Sequence, residues 1–322
     1  MTTPGVRESC FRLVALGDSI TVGVGDTVGP DAVHGPGWAA HLAAVLGVEE
    51  FTNLATNGAR SRDVADTQLD AALALRPRLA TVLVGGNDVL RSDFDARFTL
   101  ADLHRCVGAL RQAGADVVLV RLPVIGLFEL APRLVRHVMR RRVAAINAAV
   151  DEVAGAVLTP VVGPGSSSVG RTETGPTTDR SQGDGPSSSS ALGRVVVVDA
   201  VAAIAPAGDK AWHIDRVHPS PAGHRRLAAG VASALADLDP AYATADAALL
   251  PAAPDPPSAR QRLVWLLRAG LPWCVRRGRD FLPGLLRSVV HDLRAERAFT
   301  PGGMVTSLAD SGLDPRRRIG RG

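Results

Sequence analysis

Two segments of the chain carry the residue types that acyl-transfer chemistry needs. An apolar run near the N-terminus ends in Gly-Asp-Ser, which places the hydroxyl of Ser19 at the carboxyl end of a predicted strand. A serine hydroxyl is a weak nucleophile at neutral pH and needs a base to accept its proton. Asp215 and His218, spaced as Asp-x-x-His, provide an imidazole base and a carboxylate that can fix its tautomer. Ser19, His218 and Asp215 are therefore the candidate nucleophile, base and orienting acid.

Two further segments could stabilise the negative charge that develops on a substrate oxygen. Asn87 lies in a Gly-Gly-Asn-Asp turn after another apolar strand and can donate from its side-chain amide. Gly58 follows a third strand and can present an unobstructed backbone N–H, as Ser19 can. These three residues predict an oxyanion hole. Asp18 and Asp88 are adjacent to Ser19 and Asn87, and we expect them to brace those turns through hydrogen bonds rather than to react.

In their order and spacing, these segments resemble the signature blocks of the SGNH (GDSL-type) hydrolase family, over residues 11–238. Ser19 matches the nucleophile of the first block, Gly58 the glycine of the second, and Asn87 the asparagine of the third. His218, preceded by Asp215, matches the last block. Ile20 stands where the family name implies leucine, which is a conservative exchange. The resemblance implies a serine hydrolase that forms an acyl-enzyme on Ser19 and requires no cofactor.

Strand and helix patterns alternate between these segments. Apolar, β-branched runs predict strands at 11–16, 51–54, 80–84, 116–120 and 195–198, and apolar spacings of three and four predict helices at 38–46, 63–75, 100–113, 133–153 and 221–238. This alternation predicts an α/β fold, a three-layer α/β/α sandwich around a parallel sheet. The family resemblance implies the flavodoxin-like order of five strands. The four motif segments then fall at strand carboxyl ends or in nearby loops, so one rim of the sheet can collect them.

Composition divides the chain into four regions. Residues 1–240 are the predicted SGNH hydrolase domain, with an insertion at 163–193 rich in Ser, Gly and Thr that we expect to be a flexible surface loop. A lid over the cleft is the alternative. Residues 241–258 form a Pro/Ala-rich linker, 259–298 a basic amphipathic helical extension, and 299–322 a disordered tail. The extension is expected to dock on the domain or on a second subunit, and peripheral membrane contact is the alternative.

Charge and cysteine usage exclude several classes of function. The net charge is +4 and the isoelectric point is about 9.6, but the basic excess lies near the C-terminus. The catalytic region lacks the clustered Lys and Arg that follow nucleic-acid phosphates, so no nucleic-acid partner is expected.

The three cysteines are far apart and indicate neither a disulfide framework nor a zinc site. Without a signal-peptide pattern or a bilayer-length apolar run, the chain is expected to be cytoplasmic. No pattern indicates an oligomeric state.

Two histidines flank the candidate base His218. Zinc sites usually assemble three or four ligands, and no second cluster offers the remainder, so a metal site is not expected. We expect His213 to serve packing or substrate contact and His224, at a helix start, to be exposed. Trp38 could either wall the cleft or pack in the core.

Three hypotheses about function follow. The leading one is a serine esterase or lipase that acts on a small-molecule or lipid carboxylic ester. Carbohydrate O-acetyl ester hydrolysis is the closest alternative, because the same catalytic group removes acetyl from sugars in related proteins. A non-catalytic binding module that keeps the fold is the third hypothesis. It is disfavoured because binding alone does not require the full set of Ser, Gly, Asn and His.

Overall fold

The computed structural model describes residues 10–26, 34–91, 93–124, 132–158, 192–243 and 250–265, with a few separate positions between 267 and 294. Within these residues, the strands are β1 (Arg12–Gly17), β2 (Glu50–Asn53), β3 (Leu79–Leu83), β4 (Asp116–Arg121) and β5 (Val195–Asp199). They form one parallel sheet in the order β2-β1-β3-β4-β5. This is the flavodoxin-like order, so the predicted fold class is confirmed.

Helices cover both faces of the sheet. They are α1 (Ser19–Val22), α2 (Gly37–Val45), α3 (Ser61–Asp63), α4 (Leu69–Ala74), α5 (Ala96–Gln112), α6 (Arg133–Leu158), α7 (Ala200–Ile204), α8 (Pro221–Leu238) and α9 (Ala259–Trp265). A π-helical turn, Val64–Gln68, joins α3 to α4, and 3₁₀ segments, Ala205–Lys210 and Pro240–Tyr242, follow α7 and α8.

Alternate residues of β1 belong to two different apolar cores. Leu13 belongs to the core that holds α2 and α8, whereas Val14 belongs to the core that holds α4 and α5. Both side chains are fully buried, because a parallel strand with helices on both sides has no solvent-facing surface. The protein is therefore a three-layer sandwich.

The strand register positions the candidate site. Gly17 at the end of β1 lies opposite Leu83 at the end of β3, so the turns that carry Ser19 and Asn87 leave the sheet side by side. The close approach requires glycine at position 17, since a Cβ there would lie 2.4 Å from the Leu83 carbonyl oxygen.

Several element boundaries differ from the predicted ones. Helix α5 begins four residues before the predicted start, because the Asp95 side chain accepts a hydrogen bond from the Arg97 N–H at 2.9 Å and caps it. The helix predicted at 63–75 is divided by the π-helical turn. Helix α7, capped by Asp199, was not predicted. Residues 163–191, most of 266–298 and the whole of 299–322 lie outside the described residues.

The chain that follows α8 returns to the main domain. Leu250 packs against the core that holds α2 and α8, and Arg225 donates from Nε to the Pro251 carbonyl oxygen at 2.8 Å.

Within the described part of the chain, no helix combines the length and apolar character needed to cross a bilayer.

Candidate active site

Ser19 is the first residue of α1, directly after β1. Asp18 is the N-cap of this short helix, and its Oδ1 accepts a hydrogen bond from the Ile20 N–H at 3.1 Å. The helix ends at Gly23, which is in the left-handed conformation. This strand-to-helix turn holds the serine at the carboxyl edge of the sheet.

His218 lies in a tight loop between the 3₁₀ segment Ala205–Lys210 and α8. Trp212 and Pro219 pair across the base of this loop, and the Ser220 N–H donates to the Ala211 carbonyl oxygen at 2.9 Å. The loop brings His218 Nε2 to 2.8 Å from Ser19 Oγ, although the two residues are 199 positions apart in sequence.

Asp215 holds the His218 ring from the other side. Asp215 Oδ2 lies 2.8 Å from His218 Nδ1, and Oδ1 accepts hydrogen bonds from the backbone N–H groups of Val217 and His218 at 2.8 and 3.0 Å. Burial raises the pKa of Asp215, but the neighbouring His213 and His218 rings outweigh burial and hold the pKa of this carboxyl well below its usual range. An ionised Asp215 keeps the hydrogen on His218 Nδ1 and leaves the Nε2 lone pair facing the Ser19 hydroxyl.

Asn87 connects the turns that carry the other candidates. Its Nδ2 donates to the Ala59 carbonyl oxygen at 3.0 Å and lies 3.4 Å from Asp18 Oδ2. Ala59 follows Gly58, which has a φ of 82° in a surface turn. One amide therefore links the turn after β3 to the turn that carries Gly58 and to the N-cap of the serine helix.

Asp18 and Asp88 both make structural contacts. Asp88 accepts hydrogen bonds from the Ser61 N–H at 3.0 Å and from the Ser61 hydroxyl at 2.9 Å, which fastens the Asn87 turn to α3. Both carboxyls are buried. Burial raises the pKa of Asp88 and raises the pKa of Asp18 to about 6.

Sequence reasoning missed Gln68, which clamps the peptide groups before the serine. Its Oε1 accepts from the Gly17 N–H at 2.8 Å, and its Nε2 donates to the Gly17 carbonyl oxygen at 3.0 Å. Gln68 is buried in the π-helical turn. A single glutamine in an amphipathic segment carries no pattern that separates this role from an exposed position.

His224 was expected to be exposed, and that expectation is wrong. The ring is fully buried, accepts a hydrogen bond from the Trp38 N–H on Nδ1 at 3.1 Å, and donates from Nε2 to the Val24 carbonyl oxygen at 3.0 Å. Burial lowers the pKa of His224 to about 4, so the ring is neutral. Trp38 is also fully buried, which assigns it to the core. The histidine therefore ties α8 to α2 and to the loop after the serine helix.

Across the described ranges, no group of three or more His, Cys, Asp or Glu side chains is arranged to hold a metal ion.

Comparison with known proteins identifies the family of the chain. The model of the GDSL-like Lipase/Acylhydrolase family matches residues 15–226, a span that contains Ser19, Asn87 and His218. The search of curated proteins found no match.

Solved structures of hydrolases share low sequence identity with the chain. They include LAE5, an alpha/beta hydrolase from the metagenome of Lake Arreo, Spain, with 20% identity, 71% of this chain and 96% of that chain covered, and a TM-score of 0.47. The psychrotrophic esterase EstA from Pseudoalteromonas sp. has 14% identity, with 71% and 98% covered and a TM-score of 0.45. Axe2, an acetylxylan esterase from Geobacillus stearothermophilus, has 20% identity, with 70% and 93% covered and a TM-score of 0.39. The family match spans most of the chain, which therefore belongs to the GDSL-like Lipase/Acylhydrolase family of ester-hydrolysing enzymes.

Proposed function

We propose that this enzyme hydrolyses carboxylic esters through an acyl-enzyme intermediate on Ser19. One observation carries the proposal: Ser19 Oγ, the His218 ring and Asp215 form a continuous chain with both contacts at 2.8 Å. A nucleophile within hydrogen-bond reach of a base, which a third group orients, is the arrangement that activates a serine.

The steps of the reaction follow from this chain. Ser19 Oγ attacks the ester carbonyl carbon while its proton passes to His218 Nε2, and Asp215 remains ionised and stabilises the resulting imidazolium. Collapse of the tetrahedral intermediate breaks the ester bond, and the leaving alkoxide takes the proton from His218. A water molecule then gives a proton to His218 Nε2 and attacks the acyl carbon. Collapse of this second tetrahedral intermediate breaks the bond to Ser19 Oγ, which takes the proton back from His218, and releases the carboxylic acid.

The backbone N–H groups of Ser19 and Gly58 and the Asn87 amide form the oxyanion hole in this proposal. Asn87 would exchange its long contact with Asp18 for the developing oxyanion, while its bond to the Ala59 carbonyl keeps the amide oriented. A donor whose orientation is already fixed needs only this exchange to stabilise the transition state.

We further propose an acyl or lipid ester as the substrate, with a carbohydrate O-acetyl ester as the alternative. Leu263 and Leu267 flank Trp265 in the sequence of the C-terminal extension, and each is 57% exposed. Arginines at 260 and 268 flank them in sequence, which is the composition of a segment that contacts anionic lipid. Peripheral membrane contact through residues 259–298 and a cytoplasmic location are part of this proposal.

A panel of p-nitrophenyl esters of increasing acyl length tests both the serine mechanism and the proposed substrate class. We expect the parent enzyme to hydrolyse these esters and Ser19→Ala to lose that activity while keeping its thermal unfolding transition. Thr67→Ala, which removes an exposed hydroxyl outside the site, should match the parent and serves as the control. Preference for longer chains supports a lipid ester, and rejection of all but acetyl favours the carbohydrate O-acetyl ester. Parent-level turnover by Ser19→Ala would refute the mechanism.

A further inference from the structure

A second histidine reaches the carboxylate that orients the catalytic base. His213 Nδ1 lies 3.2 Å from Asp215 Oδ2, the same oxygen that lies 2.8 Å from His218 Nδ1. The His213 backbone N–H also donates to the His218 carbonyl oxygen at 2.9 Å. The loop thus folds both imidazole rings onto one carboxylate.

Among the residues that the structure describes, His213 Nδ1 has no hydrogen-bond partner, although the Asp215 carboxylate lies 3.2 Å away. The atom is buried, and its approach to Oδ2 is of ion-pair length but lacks the alignment of a hydrogen bond. A buried donor without an aligned partner costs free energy, which a small rotation of the ring toward Oδ2 would recover. Hydrogen bonds in catalytic sites are often long before substrate binds and tighten in the complex.

One residue of the C-terminal extension contacts this ring. Trp265 in α9 meets His213 edge-on, with ring centroids 6.1 Å apart and an interplanar angle of 88°. On another side of the residue, a Cβ on Gly25 would lie 3.2 Å from His213 Cβ, so the loop after α1 also limits its position. The anchored segment before α9, at Leu250 and Pro251, delivers the tryptophan to this point.

We propose that His213 is a positioning residue for Asp215 and that Trp265 holds His213 in place, so that the C-terminal helix completes the active site. The inference rests on the proposed serine mechanism. His213 Nδ1–H gives Asp215 Oδ2 a second donor, which restricts rotation of the carboxylate as His218 alternates between neutral and protonated forms. Removal of that donor disturbs the orientation of His218 and does not change substrate binding. We therefore expect kcat to fall and KM to stay unchanged.

The first experiment compares two substitutions of His213 on a p-nitrophenyl ester. His213→Asn keeps a nitrogen donor close to the position of Nδ1, whereas His213→Leu keeps the volume and removes the donor. A hydrogen bond to a charged group predicts a loss of kcat by about tenfold or more in His213→Leu, with most of the activity retained in His213→Asn. Equal kcat in the two variants, or a change confined to KM, would overturn the positioning role.

The second experiment tests the contribution of the C-terminal helix. Trp265→Ala should lower kcat as His213→Leu does, and Trp265→Phe should restore most of it by keeping an aromatic edge. Val201→Ala, which shortens an exposed apolar side chain on α7, is the control and should behave as the parent. His213 and Trp265 act as a unit in this proposal. The double variant that combines His213→Leu with Trp265→Ala should therefore lose no more kcat than the more impaired of the two single variants. Additive losses, or parent-level kcat in Trp265→Ala, would overturn this part of the proposal. The kcat values of Trp265→Ala and Trp265→Phe test the proposal even if His213→Leu fails to fold.

A fluorophosphonate probe separates failure of this inference from failure of the proposed function. If the serine mechanism holds, the probe labels Ser19 in the parent, and labelling slows in His213→Leu. Labelling of the parent together with an unchanged rate in His213→Leu rejects the positioning role alone. A folded parent that is not labelled rejects the serine mechanism itself.

Discussion

Substitution of Asp18 by asparagine should stabilise the enzyme at neutral pH and leave its stability in acid almost unchanged. Asp18 is only 2% exposed, and burial raises its pKa from 3.8 to about 6. Below about pH 4 the carboxyl is protonated in both the folded and unfolded states, so it imposes no charge penalty. Between about pH 4 and pH 6 the unfolded chain ionises this carboxyl while the folded protein keeps its proton, so the unfolding free energy falls. The pKa difference corresponds to a total loss of about 3 kcal/mol, which is complete once both states are ionised. Asparagine retains the oxygen that caps α1 and avoids this loss.

Chemical denaturation at about pH 4 and about pH 7.5 measures the effect, and the difference between variant and parent should increase by up to about 3 kcal/mol across that range. Asp95→Asn is the control, because Asp95 is also a helix N-cap but lies beside Arg97, which lowers its pKa. That variant should be less stable than the parent at both pH values and should show no gain as the pH rises, because a lowered pKa stabilises the folded state above the ordinary value of 3.8. An Asp18→Asn variant that is equally or less stable than the parent at neutral pH would refute the claim that burial raises this pKa.

Three other substitutions test how the site is held together. Gln68→Ala leaves the buried Gly17 N–H without a partner, whereas the Gly17 carbonyl oxygen keeps the Thr56 N–H at 3.2 Å, so denaturation should show a loss of about 1–3 kcal/mol, and unchanged stability would contradict the clamp. Asn87→Ala removes an oxyanion donor, so kcat on a p-nitrophenyl ester should fall by about 10² to 10³, and a loss below tenfold would exclude that role. Gly25→Ala places a Cβ 2.3 Å from the Pro219 carbonyl oxygen and should lower kcat by displacing the His218 loop, whereas parent-level kcat would show that the loop tolerates the shift.

The sequence predicted the fold and the grouping of the motif segments because both follow from local patterns. Short apolar runs predicted the five strands, and polar turns at their ends placed Ser19 and Asn87 on one rim. Asp215 and His218 could be paired because the carboxylate and the ring are three residues apart in one loop.

Contacts between distant segments could not be predicted in the same way. His224 follows a Pro-Ala-Gly helix start that is compatible with exposure, yet the packing of α8 on α2 buries its ring against Trp38. Gln68 reaches Gly17 because a π-helical turn interrupts the predicted helix. The contact of Trp265 with His213 depends on the path of the linker, which composition does not determine.

The central claim is that His218 activates Ser19 for attack on a carbonyl carbon. The most direct measurement is the rate at which a fluorophosphonate labels the folded parent and a folded His218→Gln variant, with the modified residue identified by mass spectrometry. We predict rapid labelling of the parent at Ser19 and a large loss of rate in the variant. Equal rates in the two proteins, or modification at a different residue, would contradict the account.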